Sequence, residues 1–232
     1  VAAGLQQQVL PASPYRRLDA GAIGSLAIGY PLQLCAAQDL RLLNTVEFLL
    51  ANCMVQGGFF QDMIHSGINA YLTLHLAQVL LRAGDARYLA LMAVVAGLAS
   101  PTGQWPEAIH PRTLGGCMGD GQHSWAAAEW LVMIRNCFVR EESHGLILGA
   151  GVAPSWLDDG AVISFGPAPT AFGTISLQLE SRPGKDRKKV IVSWQSQWHA
   201  GPPALEIRVP GFGTQTVRTG QQSMELVQER TV

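Results

Sequence analysis

The spacing of apolar residues changes once along this chain, near residue 142, and that change limits the possible folds more than any other feature. Upstream, apolar side chains recur at helical spacing over residues 22–34, 39–53, 67–83, 86–99 and 122–138. Downstream they alternate in short runs: Thr174-Ile175-Ser176-Leu177-Gln178-Leu179, Lys189-Val190-Ile191-Val192-Ser193-Trp194 and Leu205-Glu206-Ile207-Arg208-Val209. Arg182-Pro183-Gly184-Lys185-Asp186 and Ala200-Gly201-Pro202-Pro203 punctuate these runs as turns. A helix buries a stripe and a strand buries one face, so the two halves need different packing partners. The expected organisation is α+β and multidomain, with helices over residues 1–142 and an antiparallel β-sandwich over residues 143–232.

Composition sets the frame for both halves. With 232 residues, 48% of them hydrophobic, the chain can bury one large core or two small ones. The formal net charge is −1 and no Lys/Arg-rich run exists, so neither nucleic-acid binding nor electrostatic docking on a membrane has support. The longest apolar stretch, residues 88–99, is too short to span a bilayer. No signal peptide is visible, and the start at Val1 suggests a processed chain or a piece of a longer one. Cys35, Cys53 and Cys137 lie in apolar, helix-like surroundings and Cys117 in a Gly-rich stretch, with no C-x-x-C pair. They read as buried free thiols in a reducing compartment, the cytoplasm, with no zinc or other metal and no cofactor implied.

The run over 67–83 is apolar nearly all round, interrupted by Asn69, Thr73, His75, Gln78 and Arg82, so other helices must cover most of its surface. Inner and outer helices alternating along the chain would build an (α/α) toroid around a central pocket. Five helical segments cannot close such a ring, and half a ring would expose a large apolar flank. The expectation is therefore a partial toroid of helical hairpins, the C-terminal part of something larger. A missing N-terminal half of the same protein is its expected partner.

The residues with sugar-binding, acid/base character lie in one loop and the helix after it. Gln104-Trp105-Pro106-Glu107-Ala108-Ile109-His110-Pro111-Arg112-Thr113 leads through a Gly-rich stretch into Gln122-His123-Ser124-Trp125-Ala126-Ala127-Ala128-Glu129-Trp130. Trp can stack on a pyranose ring, His and Gln can hydrogen-bond its hydroxyls, and a carboxylate can activate water. Trp105 and Trp125 read either as sugar platforms or as core aromatics, and Trp130 as core. His123 either lines a pocket or bonds near the helix start. Asp120 either contacts a sugar or caps the helix. The segment 57–69 adds Phe60, Gln61, Asp62 and His65, with Asp62 either a substitute acid or a helix-start residue. Asp19, beside Arg16 and Arg17, reads as ion-paired or sugar-contacting, and His75 as a satisfied core histidine. Trp194 and Trp198 share a strand face, where packing is the favoured role and glycan binding the alternative.

Several short pieces together resemble the six-hairpin glycosidases, in an order similar to the glucoamylase-like and debranching-enzyme-like families. They are Arg17-Leu18-Asp19-Ala20, Tyr30-Pro31-Leu32, Asp39-Leu40-Arg41 with Thr45, Leu81-Arg82-Ala83-Gly84-Asp85, Trp105-Pro106-Glu107 with Pro111-Arg112-Thr113, and His123-Ser124-Trp125-Ala126. Leu146-Ile147-Leu148-Gly149, Pro154-Ser155-Trp156-Leu157 and Pro169-Thr170-Ala171-Phe172-Gly173-Thr174-Ile175-Ser176 resemble the β-domain that follows the toroid in such enzymes.

The resemblance implies a glycoside hydrolase, or its C-terminal fragment, that cleaves an oligosaccharide. In that family Glu107 would be the general base, and the acid would lie earlier in the toroid, outside this chain. Inverting hydrolysis needs both carboxyls, roughly 6.5–9.5 Å apart. A noncatalytic carbohydrate-binding or scaffold fragment is the first alternative. A glycoside phosphorylase on the same fold is the second, with only His110, Arg112 and His123 near enough in sequence to meet phosphate.

Overall fold

Side-chain chemistry at the ends of each helical run decides where the helix starts and stops. In the computed structural model, which describes residues 8–63, 66–119, 121–143, 145–184 and 186–230, helix α1 (Leu40–Asn52) begins at Asp39. Its carboxylate accepts the Arg41 N–H at 2.9 Å. The Arg41 side chain bonds the same carboxylate and pulls its pKa down to about 2. Helix α2 (Ala70–Ala83) stops at Gly84, whose φ of +77° is the left-handed conformation that closes a helix cheaply only at glycine. Helices α3 (Tyr88–Gly97) and α4 (Ser124–Phe138) follow. The first helical run forms a 3₁₀ helix over Ala20–Ile28, capped by Asp19. Gly21 and Gly24 within it weaken its α-helical propensity.

The glycine-rich segments between helices are where the structure departs most from the toroid expectation. They form five short strands, β1 (Met54–Val55), β2 (Gly58–Gln61), β3 (Gly67–Ile68), β4 (Ala108–Ile109) and β5 (Gly116–Met118), paired in that order into one antiparallel sheet. Gln56 and Gly57, both at positive φ, make the tight turn between β1 and β2. Gly67 lets the strands close up, since a Cβ there would lie 2.9 Å from both Ala108 Cβ and Cys117 Sγ. Among the described residues there are four α-helices and no ring of helical hairpins. The partial toroid is thus replaced by a mixed α+β arrangement. Segments that would serve as hairpin loops pair with one another as strands and satisfy their backbone groups that way.

The chain divides into two units, residues 1–133 and 134–232, and the division falls inside α4, upstream of the change of period. In the first unit α2 carries the core. Residues 70–74 and 76–81 are all buried. Leu74, Leu76 and Leu80 are joined in that core by Leu26, Leu42, Leu49, Phe59 and Ile68, each fully buried side chain stabilising by roughly 1.5–3 kcal/mol. Thr73 ties α2 to β2. Its hydroxyl accepts the Phe59 N–H at 2.9 Å and donates to the Asn69 carbonyl at 2.8 Å.

The second unit contains two four-stranded sheets. One is ordered β13 (Ser223–Val227), β10 (Lys189–Trp198), β9 (Gly173–Arg182), β8 (Val162–Thr170), and all its pairs are antiparallel. The other is ordered β12 (Gly213–Thr216), β11 (Ala204–Val209), β7 (Gly145–Leu148), β6 (Val139–Glu142). Here β7 and β11 run parallel, so the purely antiparallel sandwich is also corrected. The chain leaves β7, builds most of the other sheet, and returns in the same direction. Phe138 stacks on Phe165 at 5.0 Å between ring centres, while Ile175, Leu177, Leu179, Val190, Val192 and Trp194 bury the inner face of β9 and β10.

Among the described residues no helix is long and apolar enough to cross a membrane. None of the four cysteines forms a disulfide. Cys137 is buried, Cys35 and Cys53 are half-buried, and Cys117 is exposed, which corrects the reading of uniformly buried thiols.

Candidate functional site

Two pairs of side chains, each one helical turn apart, meet across the first unit. Tyr71 and His75 share a face of α2, and Trp125 and Glu129 share a face of α4. The Trp125 ring lies 4.6 Å from Tyr71 and 5.8 Å from His75, centre to centre. Tyr30 adds an edge to His75 at 5.9 Å, and His123 packs on Tyr71 at 4.8 Å. Tyr71 lies buried, whereas Trp125 keeps 50% of its surface in solvent. An aromatic ring with one side packed and much of its surface open is the form a sugar-stacking platform takes.

Glu129 anchors this platform. Its Oε1 lies 3.0 Å from His75 Nε2 and accepts the Trp125 indole N–H at 3.3 Å, while Oε2 accepts the Tyr30 hydroxyl at 3.2 Å. Burial, the largest single influence, would raise its pKa. The His75 hydrogen bond and charge, with the Trp125 and Tyr30 bonds, together outweigh burial and hold the carboxyl below the usual range.

Glu107 enters from the sheet. It immediately precedes β4 and is half-buried, and its backbone carbonyl accepts the Asn69 side-chain amide at 2.8 Å. The pairing of Ile68 with Ile109 fixes the same segment from the other strand. The phenol of Tyr71 is pushed up mainly by burial and secondarily by the negative charge of Glu107, which brings Glu107 within electrostatic reach of the aromatic cluster. Two buried polar atoms close by, Asn69 Oδ1 and His123 Nδ1, have no hydrogen-bond partner among the described residues. Such atoms are uncommon in folded proteins and gather at functional places.

The candidate residues separate into groups. His123 and Trp125 pack on Tyr71, and Glu107 acts on it through its charge. Trp105 does not serve as a platform: it is only 4% exposed, its indole N–H donates to the Val95 carbonyl at 2.8 Å, and its ring packs on Trp130. Its carbonyl accepts the His123 N–H at 2.8 Å, so it braces the start of α4. His110 is exposed, with Nδ1 facing the backbone N–H groups of Arg112 at 3.2 Å and Thr113 at 3.3 Å in a local turn. Phe60 is half-buried on β2. Asp19 and Asp62 belong elsewhere. Asp19 caps the 3₁₀ helix and pairs with Arg16 at 2.7 Å, and both carboxylates reinforce the burial that pushes the Cys53 thiol up. His65 and Asp120 lie outside the described residues.

Tyr30, Tyr71, His75 and Glu129 complete the site without having been singled out for it. Spacing contained a signal, since Tyr71/His75 and Trp125/Glu129 are both i, i+4 pairs. Only the packing of α2 against α4 turns two ordinary pairs into one cluster. Among the described residues no group of three or more His, Cys, Asp or Glu is placed to hold a metal ion. No protein-family model, curated protein or solved structure matches the chain.

Proposed function

We propose that the Glu107–Trp125 cluster binds a saccharide and forms the base side of a glycoside hydrolase centre, with the proton donor contributed from outside the described residues. The observation that carries this reading is the half-exposed Trp125 ring, locked onto Tyr71 and Glu129, with the Glu107 carboxylate acting on the same tyrosine. A sugar stacks on Trp125. Glu107 takes a proton from water, the water oxygen bonds to the anomeric carbon, and the glycosidic C–O bond breaks. Its electron pair goes to the leaving oxygen, which takes up the donor's proton.

One observation favours a second reading, saccharide binding without turnover. Glu129, the other carboxylate of the cluster, is engaged by three donors and held below the usual range, so it stays ionised near neutral pH and has no proton to give.

Reducing-end release from a panel of oligosaccharides, together with calorimetric binding, tests both readings. Glu107→Gln is expected to lower turnover about a hundredfold or more while leaving affinity nearly intact. Trp125→Ala should weaken binding. Binding without turnover in the wild type supports the second reading. Unchanged affinity in Trp125→Ala refutes both.

A further inference from the structure

The outer face of the β8–β10 sheet in the second unit has an unusual distribution of charge. Register places Ser164, Gln178, Ser193 and Ser223 in one row across four strands. The next rows pair Ser176 with Gln195 and Thr174 with Gln197. The charges of this face gather at its other end, already paired as Arg182 with Glu180 at 2.7 Å and Lys189 with Glu225 at 2.7 Å. Solvent-facing protein surfaces ordinarily intersperse charges of both signs. Here the neutral rows are uninterrupted.

The same face is not flat. A bulge between Phe165 and Ala168 disrupts the β8–β9 ladder, and Gly166 sits there at φ +127°, where an added Cβ would lie 2.7 Å from Ser176 Cα. Beside it lies a recess of about 460 Å³, lined in part by Ser164, Ser176, Gln178, Ser193 and Gln195. A neighbouring recess of about 560 Å³ shares Ser176 and Gln195 and continues to Thr174 and Gln197. Each is within the size range of small-ligand sites, roughly 300–1,000 Å³. Among the described residues, no other side chain or backbone group bonds the hydroxyls and amides of Ser164, Ser176, Gln178, Ser193 and Gln195.

We propose that this trough is a second saccharide site, binding a neutral polyhydroxylated chain independently of the Glu107 cluster. A glutamine amide offers donors and an acceptor side by side, matching a sugar hydroxyl that is both. Shedding water from neutral amides and hydroxyls costs far less than shedding it from charges. Sulfated or carboxylated polymers find no free cation in the neutral rows, so the trough selects uncharged chains.

Affinity electrophoresis of the full chain through gels containing soluble starch, xylan, mixed-linkage β-glucan, polygalacturonate or dextran sulfate tests the proposal. Wild type should be retarded by at least one neutral polymer and by neither anionic one. Gln178→Ala with Gln195→Ala should weaken that binding about tenfold or more, with an unchanged circular dichroism spectrum, since both side chains are exposed. Retardation should persist in Trp125→Ala and be lost when Gln178→Ala and Gln195→Ala are added to it. Absence of binding to every neutral polymer, equal binding to an anionic one, or full binding by the double variant overturns the proposal. Loss of retardation in Trp125→Ala alone would also overturn it, by assigning the polymer to the first site. Oligosaccharide turnover, read separately in Glu107→Gln, decides the first site whatever the trough does.

Discussion

Replacing Glu129 by glutamine removes the charge at the centre of the aromatic cluster while keeping its shape. Three donors converge on the carboxylate, at 3.0, 3.3 and 3.2 Å. A hydrogen bond to a charged acceptor contributes about 1.5–3 kcal/mol. Glutamine keeps one carbonyl to accept with, and the Trp125 N–H belongs to a half-exposed ring and can rejoin water. The expected loss at pH 7 is therefore about 2 kcal/mol, some thirtyfold in the folding equilibrium. Its pH dependence is sharper than its size. The folded-state pKa of Glu129 lies below the ordinary 4.5, so as pH falls the unfolded chain takes up the proton first. The stabilisation is whole above the ordinary carboxylate range and drains away as pH falls through the lower folded value. Urea unfolding of wild type and Glu129→Gln between pH 7 and pH 3, followed by circular dichroism, should show two stability curves separated at neutral pH and converging in acid. Equal stability at pH 7, or a gap that persists unchanged into acid, would refute the assignment of Glu129 as an ionised anchor.

Two further outcomes follow from buried groups. Thr73→Val keeps the side-chain shape but leaves the Phe59 N–H unpaired in the core, and should cost about 1–3 kcal/mol in urea unfolding. Thr73→Ser keeps the bond and should cost less, about 0.8 kcal/mol for the missing methyl group; the reverse order would show that packing, not the hydroxyl, matters there. Under timed alkylation of the native chain followed by peptide mass mapping, exposed Cys117 should react first. Buried Cys137, its thiol pushed up to about 12 mainly by burial, should react last, and labelling of Cys137 ahead of Cys117 would contradict that burial.

The helices were legible because their signals are local. Asp39 before an apolar run and Gly84 after one mark the ends of α1 and α2 through backbone chemistry that needs no distant partner. The first unit's sheet was not legible. Strands of two to four residues, such as Gly67–Ile68 and Ala108–Ile109, are too short to display a period, and their identity is decided by each other across the fold. The two tryptophans of the candidate loop and helix show the same limit. Trp105 and Trp125 are the same residue type, and each reads from sequence as either a platform or a core aromatic. One is buried because its indole N–H finds the Val95 carbonyl at the far end of α3, and the other stays half-exposed beside Glu129. Glu129 lies one helical turn from Trp125, but the Val95 carbonyl that buries Trp105 lies ten residues upstream across a loop, where no local pattern points to it.

Holding a reactive carboxylate requires a rigid backbone beneath it more than any particular fold around it. A toroid would supply that rigidity by suspending loops between helix ends. In this chain a few strand residues fix the Glu107 backbone: Ile68 pairs with Ile109, and Asn69 donates to the carbonyl of Glu107 itself. Gly119, at φ +78°, lets the chain after β5 pass so close that a Cβ there would lie 3.1 Å from Glu107 Cβ. Three constraints thus converge on the backbone and Cβ of one half-buried residue. Asn69 begins a helix yet makes no side-chain cap, and it spends its amide N–H on Glu107 while leaving its own Oδ1 unpaired in the interior. A buried acceptor without a partner costs about 1–3 kcal/mol. Asn69 thus leaves one acceptor unpaired while its amide holds the Glu107 carbonyl, so Asn69→Ala should free the Glu107 backbone at little net cost in stability.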